Sequence, residues 1–216
     1  MKLVRQKRGG YCFEQNTLLC FALTHLGFNV KRLGGRIRWL KAKDEPVPRT
    51  HFFMLVEFAS EGSYLADVGI GRVTPTAAIK FEIDTIQHTP HEPRRILQQG
   101  TKYLTQILLQ DWYDVCEFTL DDMPHIDCEM GHWFTKAHPD SPFRHRMIVA
   151  RASKEGRITL FNDQLTIHNL DGGKNVRTIS TAAELLEVLH DHFQLAFPPG
   201  TRFGVGNIAV QPWPTV

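Results

Sequence analysis

No apolar run in these 216 residues approaches the roughly 20 that a membrane-spanning helix needs. No secretory pattern opens the chain. Cysteine is scarce: Cys12, Cys20, Cys116 and Cys128 lie far apart, never in a paired CxxC. In a chain this size they read as reduced thiols in the cytoplasm. Neither sign of charge dominates, and a net charge of +2 is too mild to argue for a nucleic-acid partner. The basic residues near the start, Lys2, Arg5, Lys7 and Arg8, read as a solvated approach to a glycine turn. Internal repeats and low-complexity tracts are missing too. Histidine is plentiful, and Cys128/His132 and His88/His91 have spacings found in metal sites. No full ligand set with structural-zinc spacing accompanies them, so no metal is expected.

A chain with 42% hydrophobic and 22% charged residues has ordinary globular composition, enough for one large domain or two small ones. Residues 12–26 read as a helix, with Gly27 as its stop. Its all-round apolarity predicts a buried helix, with Cys20 in core packing. Gly34-Gly35 reads as punctuation before an alternating strand over 36–40. Residues 44–48 are a Pro-rich loop. His51–Phe58 is a strong strand, residues 60–63 a turn and residues 64–69 its returning partner, a hairpin. Phe81 and Ile83 suggest a short strand. Residues 84–102 look like loop, 103–120 like strand and 121–142 irregular, with Pro124, Pro139 and Pro142. Three more strands are predicted over 146–150, 157–162 and 164–170. Thr181-Ala182-Ala183-Glu184 is a capping box opening a helix whose Leu185, Leu186, Leu189 and Phe193 fall at helical spacing, and Pro198-Pro199-Gly200 ends it. Strands flanked by a helix at each end make an α+β pattern.

The chemistry concentrates in Arg8-Gly9-Gly10-Tyr11-Cys12-Phe13-Glu14-Gln15-Asn16. Glycines permit a tight turn, and a helix starting after them aims its free N–H groups and positive dipole end at the Cys12 sulfur. That placement makes a thiolate nucleophile. A cysteine nucleophile needs a base and a group to orient it. His51 begins the strong strand, and Asp67 lies near the end of its hairpin partner. Residue 59, close to the predicted turn, is their midpoint. Strands about 5 Å apart would then make them cross-strand neighbours.

These segments carry a resemblance. Arg8 to Asn16 resembles the active-site cysteine motif of arylamine N-acetyltransferases. Arg49-Thr50-His51 before an apolar strand is similar to their histidine segment, and Asp67-Val68-Gly69-Ile70-Gly71 to their aspartate motif. Pro139-Asp140-Ser141-Pro142-Phe143 is similar to a later segment. The resemblance implies a cysteine-proteinase-like core. Residues 1–27 would be the end of a truncated helical domain carrying the nucleophile helix. Residues 28–118 would be a β-barrel domain, 119–133 an interdomain segment and 134–216 an α/β lid. It implies catalytic Cys12, His51 and Asp67, and acetyl-CoA as the acetyl donor, with no metal. The acceptor would be a small aromatic amine or hydrazine, or an N-hydroxyarylamine, reached by ping-pong transfer through an acetyl-cysteine. Gly69, Ile70, Gly71, Phe134 and Ser141 would bind substrate or coenzyme A. No nucleic acid or membrane partner is implied, and the oligomeric state is not legible.

The chain departs from the family pattern in three places. Only eleven residues precede Cys12, where the family has a helical segment of about half a hundred; without such a cover the apolar faces of residues 13–26 would be exposed. Ile70 stands where the family often has Phe. Lys136-Ala137 replaces Ser-Thr near the expected coenzyme A entrance, where Lys136 would meet a phosphate. Other readings stay open beside these. Phe134 fits the core as well as the acetyl site, and Ser141 fits a turn cap. The same triad would also serve an amide hydrolase or a transglutaminase-like enzyme. An inactive fragment of an acetyltransferase is the remaining alternative.

Overall fold

The computed structural model describes residues 2–201 and residue 203. Its contacts divide the chain into two units, Gly10–His132 and Met1–Gly9 with Trp133–Val216.

In the first unit, α1 (Cys12–His25) begins where the Tyr11 N–H is satisfied by Glu14 Oε2 at 3.3 Å. It ends at Gly27, whose φ of +89° lets Phe28 N–H reach back to the Leu23 carbonyl. Cys12, Phe13 and Asn16 are its buried residues. Phe21 and Leu26 are 70% and 72% exposed, so the all-round burial predicted from its composition does not occur among the described residues.

The strands β1 (Asn29–Ile37), β2 (His51–Phe58), β3 (Gly62–Ala66), β4 (Ile79–Lys80), β5 (Arg94–Gln99), β6 (Lys102–Leu108) and β7 (Trp112–Asp122) follow. They form one sheet in the order β4-β3-β2-β1-β7-β6-β5. Bridges Ile83↔Ile96 and Gln87↔Arg94 join the segment after β4 to β5, so the two edges meet and the sheet nearly closes as a barrel. Leu33, Phe53, Leu55, Ile96, Ile107 and Phe118 are among the side chains that fill it.

Three sequence readings change here. Gly34 and Gly35 are not punctuation: β1 runs straight through them. A Cβ at Gly34 would stand 2.5 Å from Arg49 Nε, and one at Gly35 2.3 Å from Cys116 Sγ, so both positions are small for close packing. β5 occupies the stretch read as loop. Its inward residues are Arg94 and Ile96, and a charge facing the core disguises the period of two. Helix α2 (His125–Ala137) occupies the stretch read as irregular. Pro124 starts it, its carbonyl accepting from Asp127 and Cys128, while Pro139 and Pro142 lie beyond its end.

In the second unit, α3 (Pro142–His145) precedes β8 (Ile148–Ala152), β9 (Gly156–Phe161), β10 (Gln164–Asn169) and β11 (Lys174–Thr178), an antiparallel sheet in chain order. Strand β11 is exposed at every residue, which is why no alternation announced it. Helix α4 (Ala182–Phe193) opens as predicted, Thr181 Oγ1 accepting from Glu184 N–H at 3.1 Å. It ends earlier than the prolines, at left-handed Gln194. Leu160, Leu165, Leu185, Val188, Leu189 and Phe193 make this unit's core.

Candidate active site

Cys12, His51 and Asp67 all lie in the barrel-bearing unit, and the structure brings them together. Cys12 is the first residue of α1, where the helix N–H groups and dipole converge. Its Sγ lies 3.7 Å from the Thr50 carbonyl, one residue before His51. His51 opens β2 and is 2% exposed. Its Nε2 meets Asp67 Oδ2 at 2.6 Å. The hairpin ladder ends at Met54↔Ala66. Continued, it sets Asp67 opposite Phe53 rather than His51, so the two residues meet across a diagonal, two positions off the predicted register. The His51 ring stacks on Phe53, with centroids 5.6 Å apart.

Burial pushes the His51 imidazole toward neutrality. The charge and hydrogen bond of Asp67, joined by Cys12, outweigh it and carry its pKa up to about 10. Burial likewise disfavours the Asp67 carboxylate. His51 opposes that, together with hydrogen bonds from Asn16 and Gly69, and holds the carboxyl below its ordinary value.

Sequence reading missed Asn16 as a member of this site. It is completely buried, one turn after Cys12. Its Nδ2 donates to Asp67 Oδ1 at 2.8 Å and to the Phe52 carbonyl at 2.6 Å, and its Oδ1 accepts from Val68 N–H at 2.8 Å. The signal was available: Asn16 falls one helical turn after Cys12, on the same side of the helix.

Gly69 N–H donates to Asp67 Oδ1 at 2.8 Å. A Cβ at Gly69 would stand 2.5 Å from Cys12 Cα, so this glycine lets the loop carrying Asp67 lie against Cys12. Gly71 has φ +88° and turns the chain, its N–H donating to Thr74 Oγ1. Ile70 packs against the barrel core. Phe134 and Ser141 belong to the other unit. Phe134 stacks on His138 at 4.4 Å, and buried Ser141 donates its hydroxyl to the Thr135 carbonyl. His132, whose spacing from Cys128 is one found in metal sites, pairs its Nδ1 with Tyr11 Oη at 2.5 Å. Among the described residues, no group of three or more His, Cys, Asp or Glu is arranged to hold a metal.

A buried Cys–His–Asp set at a helix start can perform acyl transfer, and the comparisons say in which lineage. The N-acetyltransferase family model matches residues 1–200. The chain belongs to the arylamine N-acetyltransferase family. The arylamine N-acetyltransferase of Mycolicibacterium smegmatis is 37% identical over 195 residues, 89% of this chain and 70% of that protein. The arylamine N-acetyltransferase / N-hydroxyarylamine O-acetyltransferase of Salmonella typhimurium is 33% identical over 196 residues, 90% of this chain and 69% of its own. The Mycobacterium marinum arylamine N-acetyltransferase solved in complex with CoA superposes with TM-score 0.86 at 37% identity, covering 89% of this chain and 72% of that one. The barrel-like α+β architecture is thus an arylamine N-acetyltransferase architecture, and the candidate site lies on its core elements.

Proposed function

We propose that the protein transfers acetyl groups from acetyl-CoA to arylamines, arylhydrazines or N-hydroxyarylamines by a ping-pong mechanism through acetyl-Cys12. The observation that carries this reading is the 2.6 Å contact of buried His51 Nε2 with Asp67 Oδ2, on a ring that also interacts with Cys12. Asp67 occupies Nε2 and leaves Nδ1 to serve the sulfur. The raised His51 pKa keeps the ring protonated at neutral pH, the state that holds a thiolate as an ion pair.

The Cys12 thiolate adds to the acetyl carbonyl. The carbon–sulfur bond to coenzyme A breaks, and coenzyme A leaves as a thiol with the His51 proton. The Cys12 N–H, first on its helix, faces the developing oxyanion. In the second half, the acceptor nitrogen or oxygen attacks the acetyl-thioester, His51 takes its proton, and Cys12 is released. Asp67 fixes the imidazole tautomer and favours the imidazolium throughout.

The close approach of Gly69 to Cys12 supports a binding role for Gly69, and Ile70 and Gly71, which follow it in the same loop, are assigned with it by resemblance. A substrate- or coenzyme A-binding role for Phe134 and Ser141 is assigned by resemblance alone. Four free thiols fit a reducing, cytoplasmic compartment. No described helix is long and apolar enough to cross a membrane.

Mixing with acetyl-CoA and digesting should give an adduct of about 42 Da on the Cys12 peptide, discharged by an arylamine. An amide hydrolase, a transglutaminase-like enzyme or an inactive fragment would show no such adduct.

A further inference from the structure

Behind the triad, inside the barrel, lies a cavity of about 20 Å³ whose wall includes Asp67, Ile70, Arg94, Thr105 and Cys116. That volume suits one water molecule, and the wall carries the polar partners such a water needs. On the Asp67 side, Oδ1 accepts from Asn16 and Gly69 while Oδ2 accepts from His51. A carboxylate has about four lone-pair sites, so one more donor can be accommodated.

Arg94, 2% exposed on the inward face of β5, lines the same cavity. Its backbone is fixed in both directions by Gln87, each bond 2.8 Å, and its Nη2 donates to the Val73 carbonyl at 2.7 Å. Its neighbouring carboxylate, Glu92, stands 3.9 Å away at the partly solvated end. Arg95, also on the wall, is turned to Gln106 Oε1 and lies over the Trp112 ring. Cys116 is held as a neutral thiol, its pKa raised by burial and then by the charges of Asp67 and Cys12.

Charge accounting gives this arrangement a meaning. The working triad is thiolate, imidazolium and carboxylate, one buried negative charge in excess. Unpaired buried charge is expensive. Arg94 is a buried cation on the same cavity wall as Asp67.

We infer that Arg94 is a positioning residue for the acetyl-transfer site, acting through one internal water that links its guanidinium to the Asp67 carboxylate. The inference rests on the triad reading above. By favouring the ionised carboxylate and, through it, the Cys12–His51 ion pair, Arg94 sets the lower pH limit of the reactive thiolate.

The test is the pH profile of Cys12 alkylation by iodoacetamide, with the modified peptide identified by mass. Arg94→Met should move the acid limb upward by about half a pH unit or more. Arg94→Lys, which keeps the charge, should leave the limb near the parent's. A purely structural Arg94 would lower Tm and leave the limb in place, and that result overturns the inference. Should the Met variant fail to fold, a high-resolution crystal structure of the parent decides. Density for one water within hydrogen-bond reach of Asp67 and Arg94 supports the link, and a dry cavity overturns it. Alkylation at Cys12 with an unmoved limb sinks this inference alone. Alkylation confined to another cysteine sinks the triad reading and the inference with it.

Discussion

Asn16 Nδ2 donates to Asp67 Oδ1 at 2.8 Å, joining α1 to the loop that carries Asp67. The same side chain ties Phe52 and Val68, so one residue spans α1, β2 and the segment after β3. The register of Cys12 against His51 and Asp67 is therefore held by a side chain that need not take part in the chemistry.

Asn16→Ala should cost both stability and rate. It leaves the buried Phe52 carbonyl and the Val68 N–H each short of a bond, an expected loss of about 2 kcal/mol. It also removes one donor from Asp67, so kcat should fall while KM for acetyl-CoA stays close to the parent's. Thermal melts and steady-state kinetics check both. Full activity in a folded variant would reduce Asn16 to packing.

Asp67→Asn should leave the fold and disable the reaction. The amide occupies the same volume but holds His51 in the wrong tautomer, a change that costs about 10⁴-fold in kcat in comparable triads. Cys12→Ala should abolish turnover and the acetyl adduct together. Residual adduct formation in Cys12→Ala, seen by mass spectrometry, would mean that another thiol carries the acetyl group.

The cysteine, the histidine and the aspartate were legible because each sits at an element boundary marked by glycines or by a clean apolar run. Their meeting was predicted through the hairpin, off by one dyad of register, since nothing in residues 60–63 specifies where the turn centres. What was hidden has physical causes. Arg94 turns inward and erases the alternation of β5; β11 has no buried face to pattern; Pro124, Pro139 and Pro142 punctuate α2 from outside rather than break it. The glycine pair of β1 mimics a turn because close packing and turning call for the same residue.

Stability should depend on pH at both ends through the His51–Asp67 pair. The His51 pKa is raised from 6.5 to about 10, so its contribution is fully present below 6.5 and is lost as pH rises through about 10. The Asp67 pKa lies below 3.8, so its contribution is present above 3.8 and is lost as pH falls through the lower folded value. Denaturant melts of the parent and His51→Gln should therefore differ most between about pH 4 and 6.5 and converge above about pH 10. A difference that stays constant from pH 6.5 to 10.5 would refute the raised imidazole.

Gly69→Ala and Gly71→Ala should separate approach from turning. At Gly69 the new Cβ meets the Cys12 backbone at 2.5 Å and Asn16 Nδ2 at 2.8 Å, and backbone cannot give way cheaply. The aspartate loop and α1 must move apart, and a displacement near 1 Å costs about 10²-fold in a positioned reaction. At Gly71 a Cβ meets nothing within 4 Å, but φ +88° strains any other residue, at about 1 kcal/mol. Both variants should melt earlier than the parent. In Gly69→Ala the loss should appear in the acetylation rate of Cys12 at saturating acetyl-CoA. In Gly71→Ala it should appear in KM for acetyl-CoA, since only the turn that Gly71 makes to Thr74 is disturbed. Rapid-quench acetylation of the two proteins distinguishes the cases, and an unimpaired acetylation rate in Gly69→Ala would show that the close approach of loop and helix is not needed for chemistry.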